Sequence, residues 1–223
     1  MSKRQCVEHL ERYEEAIASY DQALIARPDD YWTWYNRGRV ALEDLDWFED
    51  ALTCFEIALE LRPDDYWSYY RQGNALRYLK CYPEAINSYQ KALICRPNDY
   101  WSLYRQGNCL GYLGHFEEAL TSYDKALSVK PKDFWSWYQR AELLRKLGQY
   151  QAAITSYDAV LDSESKDEYA WYNQACCYAL IGNFQQAIVS LRNAIQLPPC
   201  EYQELAKTDS DFDNLRENKP SWL

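Results

Sequence analysis

Helix breakers are what this chain has least of. Seven glycines and eight prolines stand against 21 tyrosines and nine tryptophans in 223 residues. That balance favours long helices packed through aromatic rings, and no stretch is biased enough in composition to read as disordered. No apolar run approaches the roughly eighteen residues needed to cross a bilayer, and Met1-Ser2-Lys3-Arg4-Gln5-Cys6-Val7-Glu8 has no apolar segment of signal-peptide kind. A cytoplasmic protein without membrane contact is the expectation. Paired cysteines are missing too: the eight lie at 6, 54, 81, 95, 109, 176, 177 and 200, with no C-x-x-C. Neither a disulfide framework nor a zinc site follows from that spacing, so all eight read as reduced packing residues. Cationic excess is also lacking. The net charge is −10, and an acidic chain repels a phosphate backbone, which counts against nucleic acid as a partner. A hydrophobic content of 48% is enough for a core, and one folded unit is expected.

What the chain has is a period. Arg27-Pro28-Asp29-Asp30-Tyr31-Trp32 returns as Arg62-Pro63-Asp64-Asp65-Tyr66-Trp67, as Arg96-Pro97-Asn98-Asp99-Tyr100-Trp101 and as Lys130-Pro131-Lys132-Asp133-Phe134-Trp135, at intervals of 35, 34 and 34 residues. Ser165 and Pro199 continue the proline register. A fixed period of this size marks an array of supersecondary units. In each unit a first helix starts after the Pro-x-Asp turn, where proline ends the preceding helix and aspartate caps the next. Gly114, Gly148 and Gly182 mark the following turn. The second helix then carries Ala51, Ala85, Ala119, Ala153 and Ala187, each four residues before Phe55, Tyr89, Tyr123, Tyr157 or Leu191. A small residue one turn before a large one on the same face makes a socket and a knob for a neighbouring helix. Two helices of about a dozen residues cannot bury such a face alone, whereas stacked copies can.

The pattern resembles the tetratricopeptide repeat, W-x-x-L-G-x-x-Y followed by A-x-x-x-F and P. One repeat reads Tyr69, Gln72-Gly73, Leu76, Ala85, Tyr89, Ala92, Pro97, and the next reads Leu103, Gln106-Gly107, Leu110, Ala119, Tyr123, Ala126, Pro131. The resemblance implies an all-α, right-handed α-solenoid of stacked antiparallel helix pairs. Five full repeats fit, at 31–65, 66–99, 100–133, 134–167 and 168–201, between a truncated repeat at 1–30 and a capping helix at 202–223 of the kind that closes bacterial arrays of this family. There are departures. Arg37, Gln72, Gln106, Arg140 and Gln174 replace the leucine before glycine, Ala141 and Ala175 replace the glycine, and one extra residue sits near Glu43-Asp44-Leu45-Asp46-Trp47. At the start, Ala16, Tyr20, Ala23 and Pro28 fit a second helix, but only the end of a first helix precedes them. Either residues 1–10 form a short cap, or the missing turn comes from a partner or from a longer chain, which leaves end-to-end or N-terminal-edge association open. At the other end Asp209-x-Asp211-Phe212-Asp213 has the spacing of a calcium loop but lacks the glycine and glutamate such a loop needs, so no metal site is read there.

In this family the concave surface is lined by the first helices, on which positions 2, 5, 9 and 12 share a stripe with position 6 beside it. Position 2 holds Trp32, Trp67, Trp101, Trp135 and Tyr169; position 5 holds Tyr35, Tyr70, Tyr104, Tyr138 and Tyr172. Large rings where small or charged side chains are usual suggest a surface offered to a ligand. Positions 6, 9, 12 and 13 supply Arg39, Arg71, Arg77, Arg105, Arg145 and Lys146 against Glu43 and Glu142, so the groove is locally basic inside an acidic body. Asn74 and Asn108 stand at position 9, where the resemblance implies a hold on a ligand backbone. The lysines of the family's chaperone-tail clamp are replaced by Trp and Tyr, which argues against a chaperone tail.

These features point to a scaffold binding a peptide or protein segment in its groove, with arginine forks meeting carboxylates and rings meeting aromatic, proline or aliphatic groups. Single-stranded RNA or nucleotide binding is the alternative, since rings and arginines also suit bases and phosphates; a regulatory subunit of a larger effector is another. Catalysis finds no support: His9 and His115 stand apart, no Gly-rich phosphate loop follows a strand, and no nucleophile–base pair is visible. No cofactor is expected.

Overall fold

A computed structural model describes residues 3–164, 166–197 and 202–217, with side chains from Arg12 onward. Ser165, Pro199, residues 218–223 and the side chains of Cys6, His9 and Cys200 lie outside the described residues. Every regular element among the described residues is helical. The chain divides into two compact units, Met1–Ser122 and Tyr123–Leu223, where composition suggested one. In an array each repeat leans only on its neighbours, so no single core has to unite the chain.

The first unit contains α1 (Lys3–Ala26), α2 (Tyr31–Glu43), α3 (Phe48–Leu61), α4 (Tyr66–Tyr78), α5 (Tyr82–Cys95) and α6 (Tyr100–Tyr112). Each of these helices packs on the next, and the first helices α2, α4 and α6 also meet in succession. The boundary falls inside α7 (Phe116–Val129). The second unit holds α8 (Phe134–Lys146), α9 (Tyr150–Ser163), α10 (Glu168–Leu180) and α11 (Phe184–Gln196), again packed in sequence. It is closed by α12 (Tyr202–Thr208), a 3-10 turn at Ser210–Phe212 and α13 (Asp213–Glu217), which rest on α10 and α11.

The turn chemistry explains the period. Asp30, Asp65, Asp99, Asp133 and Asp167 each accept the N–H three residues on, at 2.6 to 3.0 Å, which satisfies a free donor at the start of every first helix. Between the helices of a pair one residue is left-handed: Gly114, Gly148 and Gly182, but Lys80 and Asp46 in the earlier pairs. The chain then closes with an N–H to the carbonyl five residues back, as His115 to Leu110 at 3.0 Å. In the first pair the extra residue stretches this link by one, with Trp47 N–H reaching Ala41 O at 2.8 Å. At the chain start no such turn exists. Glu11 stands in the register of Gly148, so α1 continues as one helix through the place where a short first helix was expected.

Three of the polar residues that replace leucine rivet their first helix to both flanking second helices. Arg37 Nε donates to Asp21 on α1 at 2.7 Å and its Nη1 to Cys54 on α3 at 3.1 Å. Arg140 joins Asp124 to Ser156. Gln174 donates to Asp158 at 2.7 Å and accepts from Ser190 at 2.7 Å.

Candidate functional site

Two tryptophan sets behave differently. At position 4, Trp34 and Trp137 turn their indole N–H groups onto the carbonyls of Pro28 and Pro131, both at 2.8 Å, and lock the preceding turn. At position 2, Trp32, Trp67, Trp101 and Trp135 remain 45–59% exposed. The N–H groups of Trp32, Trp67 and Trp135 have no protein acceptor among the described residues and face solvent.

In the first unit each of these rings sits edge-on to its helix's first tyrosine: Tyr31–Trp32 and Tyr66–Trp67 at 4.9 Å, Tyr100–Trp101 at 5.0 Å. That tyrosine stacks in turn on the one at position 5, as Tyr31 on Tyr35 at 5.9 Å, Tyr66 on Tyr70 at 6.2 Å and Tyr100 on Tyr104 at 6.0 Å. The arginine of the following turn covers the first two clusters: Arg62 lies 4.0 Å over Tyr31 and 5.2 Å from Trp32, and Arg96 lies 4.1 Å over Tyr66 and 5.1 Å from Trp67. The rings are thus held from behind and open in front. Burial pushes the Tyr31 hydroxyl up to about 12, so it stays protonated and hydrogen-bonds to Ser68 at 3.4 Å.

The arginines of this face fall into two groups. Arg71 donates to Tyr35 Oη at 2.8 Å and pairs with Glu43, and Arg39 approaches Glu43 at 3.4 Å and Asp44 at 3.9 Å. These two cations are therefore balanced within the protein, and half-exposed pairs of this kind contribute little to stability. Arg77 and Arg105 meet no carboxylate among the described residues, and the Nε of each is buried without a hydrogen-bond partner. Arg105 instead lies over Trp101 and Tyr104 at 5.9 and 5.7 Å, and Arg77 over Tyr78 at 4.2 Å. Of the two asparagines, Asn74 accepts the Tyr89 hydroxyl at 2.9 Å; Asn108 is half-buried.

In the second unit Phe134 repeats the pattern, 5.0 Å from Trp135 and stacked 6.0 Å from Tyr138. Glu164 occupies the register of Arg62 and Arg96, and no cation covers Trp135 among the described residues. Burial, reinforced by the charge of Glu142, pushes Tyr138 up to about 12. The remaining expected groove residues here are already engaged. Tyr172 is buried under Tyr202 and Phe212, with ring centroids at 4.8 and 5.7 Å, and donates its hydroxyl to Asp209 at 2.6 Å. Arg145 lies between Glu142 at 3.8 Å and Asp211 at 3.6 Å. The capping segment is long enough and acidic enough to reach both, and no spacing in it marks which groups it covers.

Cys176, Asp209 and Asp211 come together closely enough to suggest a cation. Their donors are otherwise committed: Asp209 to Tyr172 and the Asp211 N–H, Asp211 to Arg145, and the Cys176 thiol pushed far up by burial and so held neutral. His115 makes only an exposed contact with Glu118 at 3.4 Å. The cysteines do not all pack: Cys54, Cys109, Cys176 and Cys177 are buried, but Cys81 and Cys95 are exposed free thiols at the two ends of α5. Both stand at helix ends, where the stripe periodicity that marks core positions no longer applies.

Tetratricopeptide repeat models match residues 7–47, 33–65, 66–99, 100–133, 122–155 and 168–199. The chain belongs to the tetratricopeptide repeat family. Among solved structures it is similar to YrrB, a TPR protein with an unusual peptide-binding site, at 25% identity and a TM-score of 0.74 over 85% of this chain and 98% of that one. It is also similar in fold to MamA, at 15% identity and a TM-score of 0.70 over 81% and 95% of the two chains. MamA 41-end from Desulfovibrio magneticus RS-1 gives 18% identity and a TM-score of 0.69 over 80% and 97%. No curated protein matches the sequence. Among the described residues no helix is long and apolar enough to cross a membrane.

Proposed function

We propose that this protein is a non-catalytic cytoplasmic adaptor that holds an extended peptide or protein segment against the first-helix face of its repeats. The observation that carries this reading is the position-2 tryptophan row: the rings are braced from behind by tyrosines and arginines, half-exposed in front, and several keep an unused indole N–H. Bracing removes the rotamer entropy that a bound ligand would otherwise have to freeze, so each ring is pre-organised as an anchor. The neighbouring arginines add carboxylate recognition. The peptide-binding site described for YrrB, a relative of the same fold, is consistent with this use.

Selection of displayed peptides on the full chain tests it, with a Trp67→Ala/Trp101→Ala double variant as comparator. Enriched peptides are expected to carry aromatic, proline or aliphatic anchors and to bind the wild type about ten-fold or more tightly than the variant. A selection that enriches nothing, or binding indifferent to both indoles, overturns the reading.

A further inference from the structure

The residue that follows each second helix changes sign along the array. Arg62, Arg96 and Lys130 hold this place at intervals of 34 residues, and Glu164 takes it next. In the first unit the cation has a visible use: the Arg62 guanidinium lies 4.0 Å over the Tyr31 ring and 5.2 Å from Trp32, and Arg96 repeats this over Tyr66 and Trp67. Under that cover Tyr31 and Tyr66 are only 5% and 6% exposed. Glu164 has the same backbone conformation as the two arginines, φ −139° and ψ 87° against −140° and 88° at Arg62 and −139° and 88° at Arg96. Its side chain therefore leaves the chain at the same place with the opposite charge. A carboxylate cannot serve as the cover, because the face of an aromatic ring is itself negative and attracts cations.

In the second unit the rings are in place and the cover is missing. Phe134 lies 5.0 Å from Trp135, edge-on, and stacks 6.0 Å from Tyr138, as Tyr31 does with Trp32 and Tyr35. Phe134 is half-buried where Tyr31 and Tyr66 are buried, and Trp135 at 59% is the most exposed of the four position-2 tryptophans. The turn beside these rings holds Glu164, Asp167 and Glu168 against Lys166. Among the described residues the exposed Glu164 carboxylate accepts one hydrogen bond, from the Lys166 N–H at 3.4 Å. Asp167 caps α10 through the Ala170 N–H at 2.6 Å. The Tyr31 and Tyr66 hydroxyls bond to the cap aspartates Asp65 and Asp99, whereas Phe134 has no hydroxyl to offer Asp167. Burial pushes the Asp167 carboxyl up, and the charges of Glu168 and Glu164 add to that shift. The local excess of negative charge is thus felt within the protein itself.

We propose that Phe134, Trp135 and Glu164 form a slot for an arginine side chain of the bound partner segment, whose guanidinium lies over the two rings as Arg62 lies over Tyr31 and Trp32, with the Glu164 carboxylate beside it. This rests on the adaptor reading above and adds one basic residue to the aromatic, proline or aliphatic anchors of its ligand. Charge complementarity selects the occupant: ring faces and carboxylates attract a cation and repel an acid. Guanidinium suits the slot better than ammonium, because its plane stacks on a ring while its edge donates to a carboxylate. Every residue of the slot lies in the second unit.

N-acetyl-arginine amide is the probe, titrated into the full chain and followed by NMR at the tryptophan indole N–H signals, with that of Trp135 identified by its loss in Trp135→Phe. Saturable movement of the Trp135 signal is expected, while Trp32 and Trp67, already covered by Arg62 and Arg96, move little. N-acetyl-citrulline amide has the same shape without the charge and leaves the protein untouched, so its weaker binding, by about ten-fold or more, is free of any folding effect. Glu164→Arg supplies the cover from within, at an exposed position where the earlier repeats already carry arginine, and a comparable weakening is expected. A Trp135 signal that does not move, equal binding of the citrulline compound, or binding that Glu164→Arg leaves unchanged overturns the proposal. Equal binding of N-acetyl-lysine amide overturns the assignment to guanidinium. Peptides displayed against the wild type should carry an arginine that selection on Glu164→Arg loses. Self-association of the chain that Glu164→Arg abolishes would assign the slot to a second copy and overturn the partner. If displayed peptides bind through Trp67 and Trp101 with no preference for arginine, the slot fails and the adaptor reading stands; if the probe moves Trp135 but selection enriches nothing, the adaptor reading fails and the bound segment with it.

Discussion

Gln174 shows what a polar side chain does where the family pattern has leucine. It is 2% exposed, donates to Asp158 and accepts from Ser190, and so ties α10 to both α9 and α11. Burial already pushes the Asp158 carboxyl above its usual range, and the Gln174 hydrogen bond works against that shift. Gln174→Leu restores the family residue yet leaves the Asp158 and Ser190 groups without their partner, so a loss of about 1–3 kcal/mol in urea unfolding is expected. The sequence exposed these residues as departures; it could not say that they were rivets, because the partners lie sixteen residues away on either side and only helix packing brings them near. The caps are simpler to read. Asp30 is held below its ordinary value of 3.8, first by the Thr33 hydroxyl and further by the Thr33 N–H, with desolvation opposing. A carboxyl depressed in the folded state supports stability above its unfolded value, and that support is lost as the pH falls from there through the folded value. Asp30→Asn keeps a capping oxygen without the charge. Thermal melts across acidic pH should therefore fall less steeply for Asp30→Asn than for the wild type, while parallel curves would show that the carboxylate is not what the cap depends on.

At the scale of the element, the turns between paired helices decide where one helix stops. Gly148 has φ of +72°, and a methyl group added there would meet nothing within 4 Å. The cost of Gly148→Ala is thus purely conformational, about 1 kcal/mol, and appears as a lowered thermal midpoint. Lys80 already stands in the same conformation at φ 61° and bears that cost in the native chain. The glycines were legible because only they enter this region freely; Lys80 was not, since nothing in a lysine announces a left-handed residue, and an aspartate such as Asp46 enters it more often than most but far less freely than glycine. α1 shows the converse. With Glu11 in the glycine register no turn is encoded, and helix propensity carries the chain straight through from Lys3 to Ala26. Periodicity therefore located the repeats and the position-2 tryptophans, whereas pairing within the groove stayed hidden. Arg71 reads as a ligand-facing cation until Glu43, 28 residues earlier in sequence, is seen beside it.

At the scale of the whole molecule, a repeat array has stability that is a sum of neighbouring interfaces, so damage at one end need not spread. Phe212 makes this testable. It is fully buried with Leu215 in the cluster that joins the tail to Tyr172, Cys176 and Ala206. Phe212→Ala removes about 3–5 kcal/mol of packing, more than the short elements of the tail can replace, and the tail should open while the repeats before it stay folded. The thiols report this by position. In the native protein Cys81 and Cys95 are exposed, whereas Cys54, Cys109, Cys176 and Cys177 are buried, and burial pushes Cys109 up to about 11 and Cys177 up to about 12. Near neutral pH such thiols carry almost no thiolate and react only after opening. Alkylation followed by peptide mass spectrometry should label Cys81 and Cys95 in the wild type and add Cys176 and Cys177 in Phe212→Ala, with Cys54 and Cys109 still protected. Simultaneous labelling of all four buried cysteines would mean that the array unfolds as one body; unchanged protection of Cys176 would mean that the tail is not held by Phe212.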